Sequence, residues 1–254
     1  MLDGYPLREY NWKDWVLMIA SSSLILQVLF TFIGANLAPL ILSTFSSGHL
    51  TLEALEQLLI QFTVFGAIAS LPLTLFIIHK RKIPLFNRKQ LTKNESYLIR
   101  GVSKKDWKFL LIYIPISYIP YLIGQMVLIN IFDPNAPVNQ IAIESLFEYL
   151  PMWQLFLMIV VVAPITEELL FRGMVLFQGD TLEVTWPRVL ISGLLFGLVH
   201  SPTDIFSLYT YVGMGLIFAY AVRKTQSIEV AIIYHFLNNF IGFIQILALR
   251  YFIG

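Results

Sequence analysis

Residues 155–176 read LFLMIVVVAPITEELLFRGMVL, an apolar stretch that contains two adjacent carboxylates and an arginine. A helix that crosses the hydrocarbon core of a bilayer needs about 20 apolar residues. At 1.5 Å per residue, Glu167 lies about 18 Å from Leu155 and about 16 Å from Gln178, which is near mid-membrane. An ionised side chain at that depth costs at least about 2.5 kcal/mol, and such residues face a bundle interior or an aqueous cavity. The stretch therefore predicts a membrane helix that borders a polar cavity.

The composition of the whole chain is that of a membrane protein. Of its 254 residues, 57% are hydrophobic and 13% are charged, and the mean hydropathy is +0.72, whereas soluble domains carry about 25% charged residues. Long uncharged stretches predict an all-α fold, a polytopic transmembrane helix bundle of about seven spans. We place the spans at roughly 13–42, 57–79, 107–132, 151–178, 187–201, 204–222 and 227–252. The span at 187–201 should be short because Pro202 ends it.

Two further features of the composition exclude classes of function. The chain has no cysteine, which removes disulfides, thiolate metal sites and thiol nucleophiles. Its net charge of +1 gives no indication of a nucleic-acid partner.

The positively charged residues predict the orientation of the chain in the membrane. Ten of the seventeen Lys and Arg residues lie in the segment 80–108, and the connections 43–56 and 133–150 contain none. Because cytoplasmic loops carry the excess of Lys and Arg, we expect the N-terminus and the segment 80–108 to be cytoplasmic. This segment should also contact anionic lipid head groups. The pattern at 138–150 is typical of a short helix on the outer surface.

The carboxylates of the fourth span have different expected partners. Glu168 and Arg172 are four residues apart, with the carboxylate first, which is the favoured arrangement for an ion pair on a helix. Glu167 lies about 100° away around the helix and cannot share this arginine equally well. It is therefore the free carboxylate, able to take and return a proton. Pro164 lacks a backbone donor and should kink the helix beside it.

Two histidines are expected at a comparable depth on later helices. His200 lies about 18 Å from the inner start of its short helix, and His235 and Asn239 share a helix face about 12 and 18 Å from Ser227. Any one of these groups could simply form an interhelical hydrogen bond. Their convergence from three helices favours a functional site instead. Asn238 points away from the His235–Asn239 face and is assigned to packing.

Three motifs in this order resemble those of the CAAX protease and bacteriocin-processing enzyme family, also called the CPBP or Abi family. They are Glu-Glu-x-x-x-Arg at 167–172, Phe-x-x-x-His at 196–200 and His-x-x-x-Asn at 235–239. The resemblance covers about residues 150–250. It divides a single integral membrane domain into N-terminal spans with a basic cytoplasmic loop (1–106) and a catalytic helix bundle (107–254).

The resemblance implies an intramembrane endopeptidase of the bacterial cell membrane. By analogy, Glu167 would act as general base towards a water molecule, with assistance from His200. His235 and Asn239 would stabilise the oxyanion. Glu168, Arg172 and Phe196 would support these groups. The implied partners are a peptide or membrane-associated protein substrate and membrane lipid, with no nucleic acid.

Several alternatives remain open at the level of sequence. Glu167, His200 and His235 could hold a zinc ion, although the His-Glu-x-x-His arrangement of many metalloproteases is absent. We therefore expect no obligatory cofactor. A non-enzymatic bacteriocin self-immunity protein, or a small proton-coupled transporter that uses the carboxylates as a relay, would also place ionisable groups in the membrane.

Overall fold

The computed structural model describes residues 10–45, 51–81, 83, 85, 102–176 and 184–253, and every regular element within these ranges is a helix. The helices are α1 (Trp12–Ala20), α2 (Ser23–Phe45), α3 (Leu52–Arg81), α4 (Lys104–Phe132), α5 (Val138–Tyr149), α6 (Met152–Leu176), α7 (Trp186–Val199), α8 (Ile205–Thr225) and α9 (Ile228–Ala248), with a final turn at Leu249–Ile253.

The predicted all-α, polytopic architecture is confirmed. Six of the described helices, namely α2, α3, α4, α6, α8 and α9, are long and apolar enough to cross a membrane. The remaining predicted span, at 187–201, is the short helix α7 of 14 residues. A helix is present at the predicted position 138–150, as α5, and its location on the outer surface stays a prediction. Most of the predicted cytoplasmic loop, residues 86–101, lies outside the described residues. The side of the membrane on which each connection lies stays a prediction.

The first predicted span, 13–42, is two helices in the structure, because α1 ends at Ala20 and α2 begins at Ser23. The backbone groups freed at this break are satisfied by nearby polar side chains. The hydroxyl of Ser21 donates to the Met18 carbonyl at 3.2 Å, and Thr74 of α3 donates to the Ser21 carbonyl at 3.1 Å. Serine side chains favour such local bonds and so compete with a continuous helix.

Helix α6 contains two π-helical segments, Phe156–Val162 and Leu169–Leu176, on either side of one α-helical segment, Ala163–Glu168. The N–H of Ala163 bonds the carbonyl of Met158, five residues back. Pro164, where the sequence predicts a kink, follows immediately and has no N–H to donate. The irregularity therefore takes the form of widened turns around the segment that carries Glu167 and Glu168, and such turns are frequent at functional sites.

Helices α7 and α8 form a closely packed antiparallel pair. A Cβ atom added to Gly215 of α8 would lie 2.6 Å from the Gly193 carbonyl oxygen of α7, so the two backbones approach as small residues allow in membrane helices. The pair packs on the second half of α6, and α3 packs on its first half. Helix α9 runs along α6. This arrangement brings the last turn of α7 and the middle of α9 to the carboxylates of α6.

Candidate active site

A cavity of about 760 Å³ lies inside the bundle and reaches all the site residues that the sequence predicts to touch a substrate. Most of its lining side chains are apolar. The polar groups include Glu167 of α6, His200 at the end of α7, and three residues of α9, which are His235, Asn238 and Asn239. The structure therefore brings together the groups that the sequence places on three different helices.

Glu167 lies between the two histidines. Its Oε2 atom is 3.9 Å from Nε2 of His200 and 4.0 Å from Nε2 of His235. The side chain is 24% exposed, yet Oε2 itself is buried and accepts no hydrogen bond from any described residue. A buried carboxylate oxygen is costly unless something donates to it. This atom is thus a strong acceptor that faces both imidazoles across a gap wider than a hydrogen bond.

His200 is held with one ring nitrogen towards its own helix. The Nδ1 atom lies 2.7 Å from the Phe196 carbonyl oxygen. A carbonyl can only accept, so Nδ1 carries the hydrogen in this contact. When the ring is neutral, the lone pair is therefore on Nε2, the atom that faces Glu167. The ring also contacts the aromatic rings of Phe196, at 4.7 Å between centroids, and of Tyr211, at 4.4 Å.

His235 is oriented by the second carboxylate of α6. Its Nδ1 atom lies 2.9 Å from Oε1 of Glu168, and its ring stacks on Phe218 at 4.8 Å. A carboxylate on Nδ1 fixes which ring nitrogen carries the proton. The Glu168 contact joins residues 67 positions apart. Helical spacing could not have predicted it.

Arg172 and Glu168 form a buried ion pair next to the cavity residues. The predicted pair with Glu168 is present, with Nε of Arg172 3.1 Å from Oε2 of Glu168. The guanidinium also donates to the Gly215 carbonyl at 2.7 Å and lies over the ring of Phe196 at 4.5 Å. Both charged side chains are fully buried. They contact His235 and Phe196 and leave Glu167 as the carboxylate beside the cavity.

The two asparagines of α9 are hydrogen-bonded to each other and to α6. Asn239 donates from Nδ2 to the Ile159 carbonyl at 2.9 Å, and Asn238 donates to Oδ1 of Asn239 at 3.1 Å. The Ile159 carbonyl belongs to the first π-helical segment of α6. An amide nitrogen carries two hydrogens, so one hydrogen of Asn239 is committed to α6. Asn238, which the sequence assigns to packing, also lines the cavity.

Several further polar residues of the cavity wall, among them Gln125, Asn139, Thr210 and Tyr211, were not singled out from the sequence. Gln125 of α4 donates to Thr210 of α8 at 3.0 Å and to the Tyr121 hydroxyl at 3.0 Å. Asn139 of α5 and Tyr211 of α8 line the same cavity. A glutamine inside the uncharged stretch 109–132 is a signal that could have been used, because such residues are uncommon in lipid. Tyr211 is one of 12 tyrosines and has no distinguishing pattern.

Glu167, His200 and His235 are also the residues that could hold a metal ion. Their histidines present Nε2 atoms and have partners on Nδ1, as metal-binding histidines usually do. Ligands about 2.0–2.1 Å from a tetrahedral zinc ion lie about 3.4 Å apart, so the separations of 3.9 and 4.0 Å would have to shorten. Within the described part of the chain, no three such side chains are placed to hold a metal as they stand.

Comparison with known proteins identifies one family and several bacterial relatives. Residues 149–241 match the model of the Type II CAAX prenyl endopeptidase Rce1-like family. The membrane-embedded CAAX protease MroQ of Staphylococcus aureus (strain USA300) is 28% identical over 192 residues, which are 72% of this chain and 75% of that protein. No solved structure matches the chain.

Two other relatives match over shorter lengths. YdiL of Bacillus subtilis (strain 168), a candidate membrane peptidase, is 36% identical over 93 residues, 35% of this chain and 36% of YdiL. The UPF0177 protein YbdI of Lactococcus lactis subsp. lactis (strain IL1403) is 31% identical over 87 residues, 34% of this chain and 46% of YbdI. The matched family region contains all the motifs at 167–172, 196–200 and 235–239.

Proposed function

We propose that this chain, which matches the CAAX prenyl endopeptidase family over residues 149–241 and resembles the CAAX protease MroQ, is an intramembrane endopeptidase in which Glu167 activates a water molecule. Membrane peptidase is the activity that the family and its relatives support. The observation that supports this role of Glu167 is the position of its Oε2 atom at the wall of the cavity. This atom lies 3.9 Å from Nε2 of His200 and 4.0 Å from Nε2 of His235.

Glu167 and His200 are suited to hold and deprotonate the nucleophile together. Two acceptors 3.9 Å apart can each receive one hydrogen of the same water molecule, which a bridging geometry allows. The lone pairs of that water then face the substrate carbonyl carbon. As the C–O bond forms, Glu167 takes the proton, and it returns this proton to the amine nitrogen when the C–N bond breaks.

His235 and Asn239 are proposed to stabilise the negative oxygen of the tetrahedral intermediate. Because Nδ1 of His235 is turned towards Glu168, Nε2 can donate to an oxyanion only when the ring is an imidazolium. The buried Glu168 carboxylate stabilises that charged form, as the aspartate of a serine protease triad does for its histidine. Asn239 would contribute its second amide hydrogen. Donors aimed at an oxyanion supply a large part of the catalysis of acyl transfer.

Glu168, Arg172 and Phe196 are proposed to orient these groups without reacting. Glu168 lies between Arg172 and His235, and Phe196 contacts both His200 and Arg172. The proposed substrate is a peptide or membrane-associated protein segment that enters the cavity from the lipid or its interface. The cavity offers apolar walls with few polar groups, which suits an extended apolar segment.

The proposal is tested by comparing the peptides of cells that express the wild-type chain with those of cells that express Glu167→Gln or His200→Ala. Both variants should be inserted and folded but should lack the wild type's cleavage products. His79→Ala is a matched control, because His79 is exposed at the end of α3, and it should leave the products unchanged. Identical peptide sets for wild type and Glu167→Gln would contradict the proposal.

The two alternative classes of function predict different behaviour of the same variants. A self-immunity protein that only binds its target should still protect cells when Glu167 is replaced by Gln. A proton-coupled transporter should show flux in liposomes with no peptide product. Absence of flux in the wild type, together with loss of both protection and cleavage products in Glu167→Gln, would support the endopeptidase over both alternatives.

We propose that no metal is required, with zinc held by Glu167, His200 and His235 as the alternative. Elemental analysis of the purified protein, combined with an activity assay before and after chelation, separates the two. Full activity in metal-free protein is expected. Activity that is lost on chelation and restored by Zn²⁺ would establish the metal alternative.

A further inference from the structure

We propose that Tyr211 of α8 is a positioning residue that aims the imidazole of His200 at Glu167. The inference rests on the proposed function of His200 and extends the site to a helix that carries none of the three motifs. Its observation is a parallel ring stack between Tyr211 and His200.

His200 needs such support because it lies beyond the regular part of its helix. It follows the last helical residue of α7, and the next residue, Ser201, has a φ of 51°. The hydrogen bond from Nδ1 to the Phe196 carbonyl fixes one ring atom, but a hydrogen bond at one atom does not by itself stop the ring from turning about that atom. The direction of Nε2 then depends on what lies against the ring.

Tyr211 restricts that turn. Its ring is 4.4 Å from the His200 ring, and the two planes are inclined by only 14°. Stacked aromatic pairs of this kind contribute about 0.5–1.5 kcal/mol beyond the burial of their area. Tyr211 is itself buried, with 6% of its surface exposed. With Nδ1 anchored and one face covered, the remaining orientation of the ring places Nε2 3.9 Å from Glu167.

Kinetic measurements on two substitutions separate stacking from simple packing. Tyr211→Leu keeps an apolar side chain but removes the stack, whereas Tyr211→Phe keeps the stack and removes only the hydroxyl. The probe is an internally quenched peptide, selected from a library of apolar sequences for cleavage by the wild type. We expect Tyr211→Leu to lower kcat by about 10–100-fold with KM within about twofold, because small misplacements of a catalytic group have effects of this size. Tyr211→Phe should lose less than about tenfold.

One further variant tests the specificity of the effect. Tyr209→Leu is the matched control, since Tyr209 lies on the same helix but stacks on Tyr121 at 5.8 Å, and it should keep the wild-type kcat. Equal losses in Tyr211→Leu and Tyr211→Phe, or an equal loss in Tyr209→Leu, would overturn the proposal.

A second readout does not depend on proteolysis. Diethyl pyrocarbonate modifies imidazole nitrogens, and mass spectrometry of the full chain in detergent gives the rate at His200 relative to the exposed His79. We expect the relative rate to rise by at least about threefold in Tyr211→Leu, because an imidazole released from its stack exposes Nε2 more often, and to stay near the wild-type value in Tyr211→Phe. Unchanged rates in both variants would overturn the positioning role. If the wild type cleaves no peptide, the proposed function fails, and this measurement still decides the role of Tyr211.

Discussion

At the scale of single residues, Arg172 is the side chain whose replacement we expect to cost the most folding stability. It is fully buried, paired with Glu168 at 3.1 Å, bonded to the Gly215 carbonyl at 2.7 Å and placed over two aromatic rings, those of Phe196 and Phe218. A guanidinium is suited to this site because it is planar and can donate in several directions while it stacks. Its removal would leave the Glu168 charge without its cation beside His235.

We therefore expect Arg172→Met to destabilise the protein by about 3–5 kcal/mol, the usual cost of removing one partner from a buried ion pair. The measurement is the unfolding free energy in detergent micelles. The double variant Glu168→Gln/Arg172→Met should be more stable than Arg172→Met alone, because it no longer buries the Glu168 charge without its arginine. A double variant that is less stable by the full sum of the two single effects would contradict this account.

The sequence could predict only part of the site at this scale. Glu167, His200, His235 and Asn239 were found because ionisable or polar groups in an apolar helix are conspicuous, and the Glu168–Arg172 pair follows from helical spacing. The Glu168–His235 contact and the stack of Tyr211 on His200 depend on how separate helices pack. Nothing in the local pattern of either chain segment specifies such contacts, so they required the structure.

At the scale of helices, the site depends on how closely α7 and α8 approach. Gly193 and Gly215 bring the two backbones together, and the Gly215 carbonyl is also the oxygen that accepts from Arg172. The same approach sets the position of the turn that carries His200. A side chain at Gly215 would therefore disturb both the packing and the buried arginine.

Gly215→Ala should destabilise the protein by about 1–3 kcal/mol, because the new Cβ would overpack the contact with α7. Gly242→Ala in α9 is the control: a Cβ there meets nothing within 4 Å, and alanine favours a helix over glycine by about 1 kcal/mol. Thermal unfolding should show a lower midpoint for the first variant and an equal or higher midpoint for the second. Equal midpoints for Gly215→Ala and the wild type would show that the helices can separate without cost.

The positions of the helices were predicted better than the irregularities within them. Apolar length located the spans, and Pro202 correctly indicated a short α7. The break at Ser21 and Ser22 and the π-helical turns of α6 were not predicted. Both are irregularities that neighbouring side chains stabilise, such as Thr74 at the Ser21 carbonyl and Asn239 at the Ile159 carbonyl. Hydropathy averages over such details and cannot show them.

At the scale of the whole molecule, the account requires that water reaches the cavity inside the bundle. The chain contains no cysteine, so a single introduced thiol can report on this without background. Asn238→Cys lies in the cavity wall, whereas Ile119→Cys would lie on an outward, apolar face of α4, where Ile119 is 56% exposed.

A charged thiosulfonate reagent modifies a thiol only where water admits it and the thiol can ionise. In lipid nanodiscs, we expect Asn238→Cys to react at least about tenfold faster than Ile119→Cys, because an ionised thiol is disfavoured in hydrocarbon. The rates are followed by mass spectrometry. Two equally unreactive thiols would indicate a dry cavity, which hydrolysis could not use.

The central claim is that Glu167 activates the water that cleaves a peptide bond within this cavity. The most direct measurement is the rate at which the purified chain in nanodiscs hydrolyses an internally quenched apolar peptide, compared with Glu167→Gln and with Glu144→Gln, a carboxylate exposed on α5 outside the cavity. We predict a loss of about 10²–10⁴-fold for Glu167→Gln, the contribution expected of a general base, and no loss for Glu144→Gln. Hydrolysis by Glu167→Gln at the wild-type rate would contradict the account.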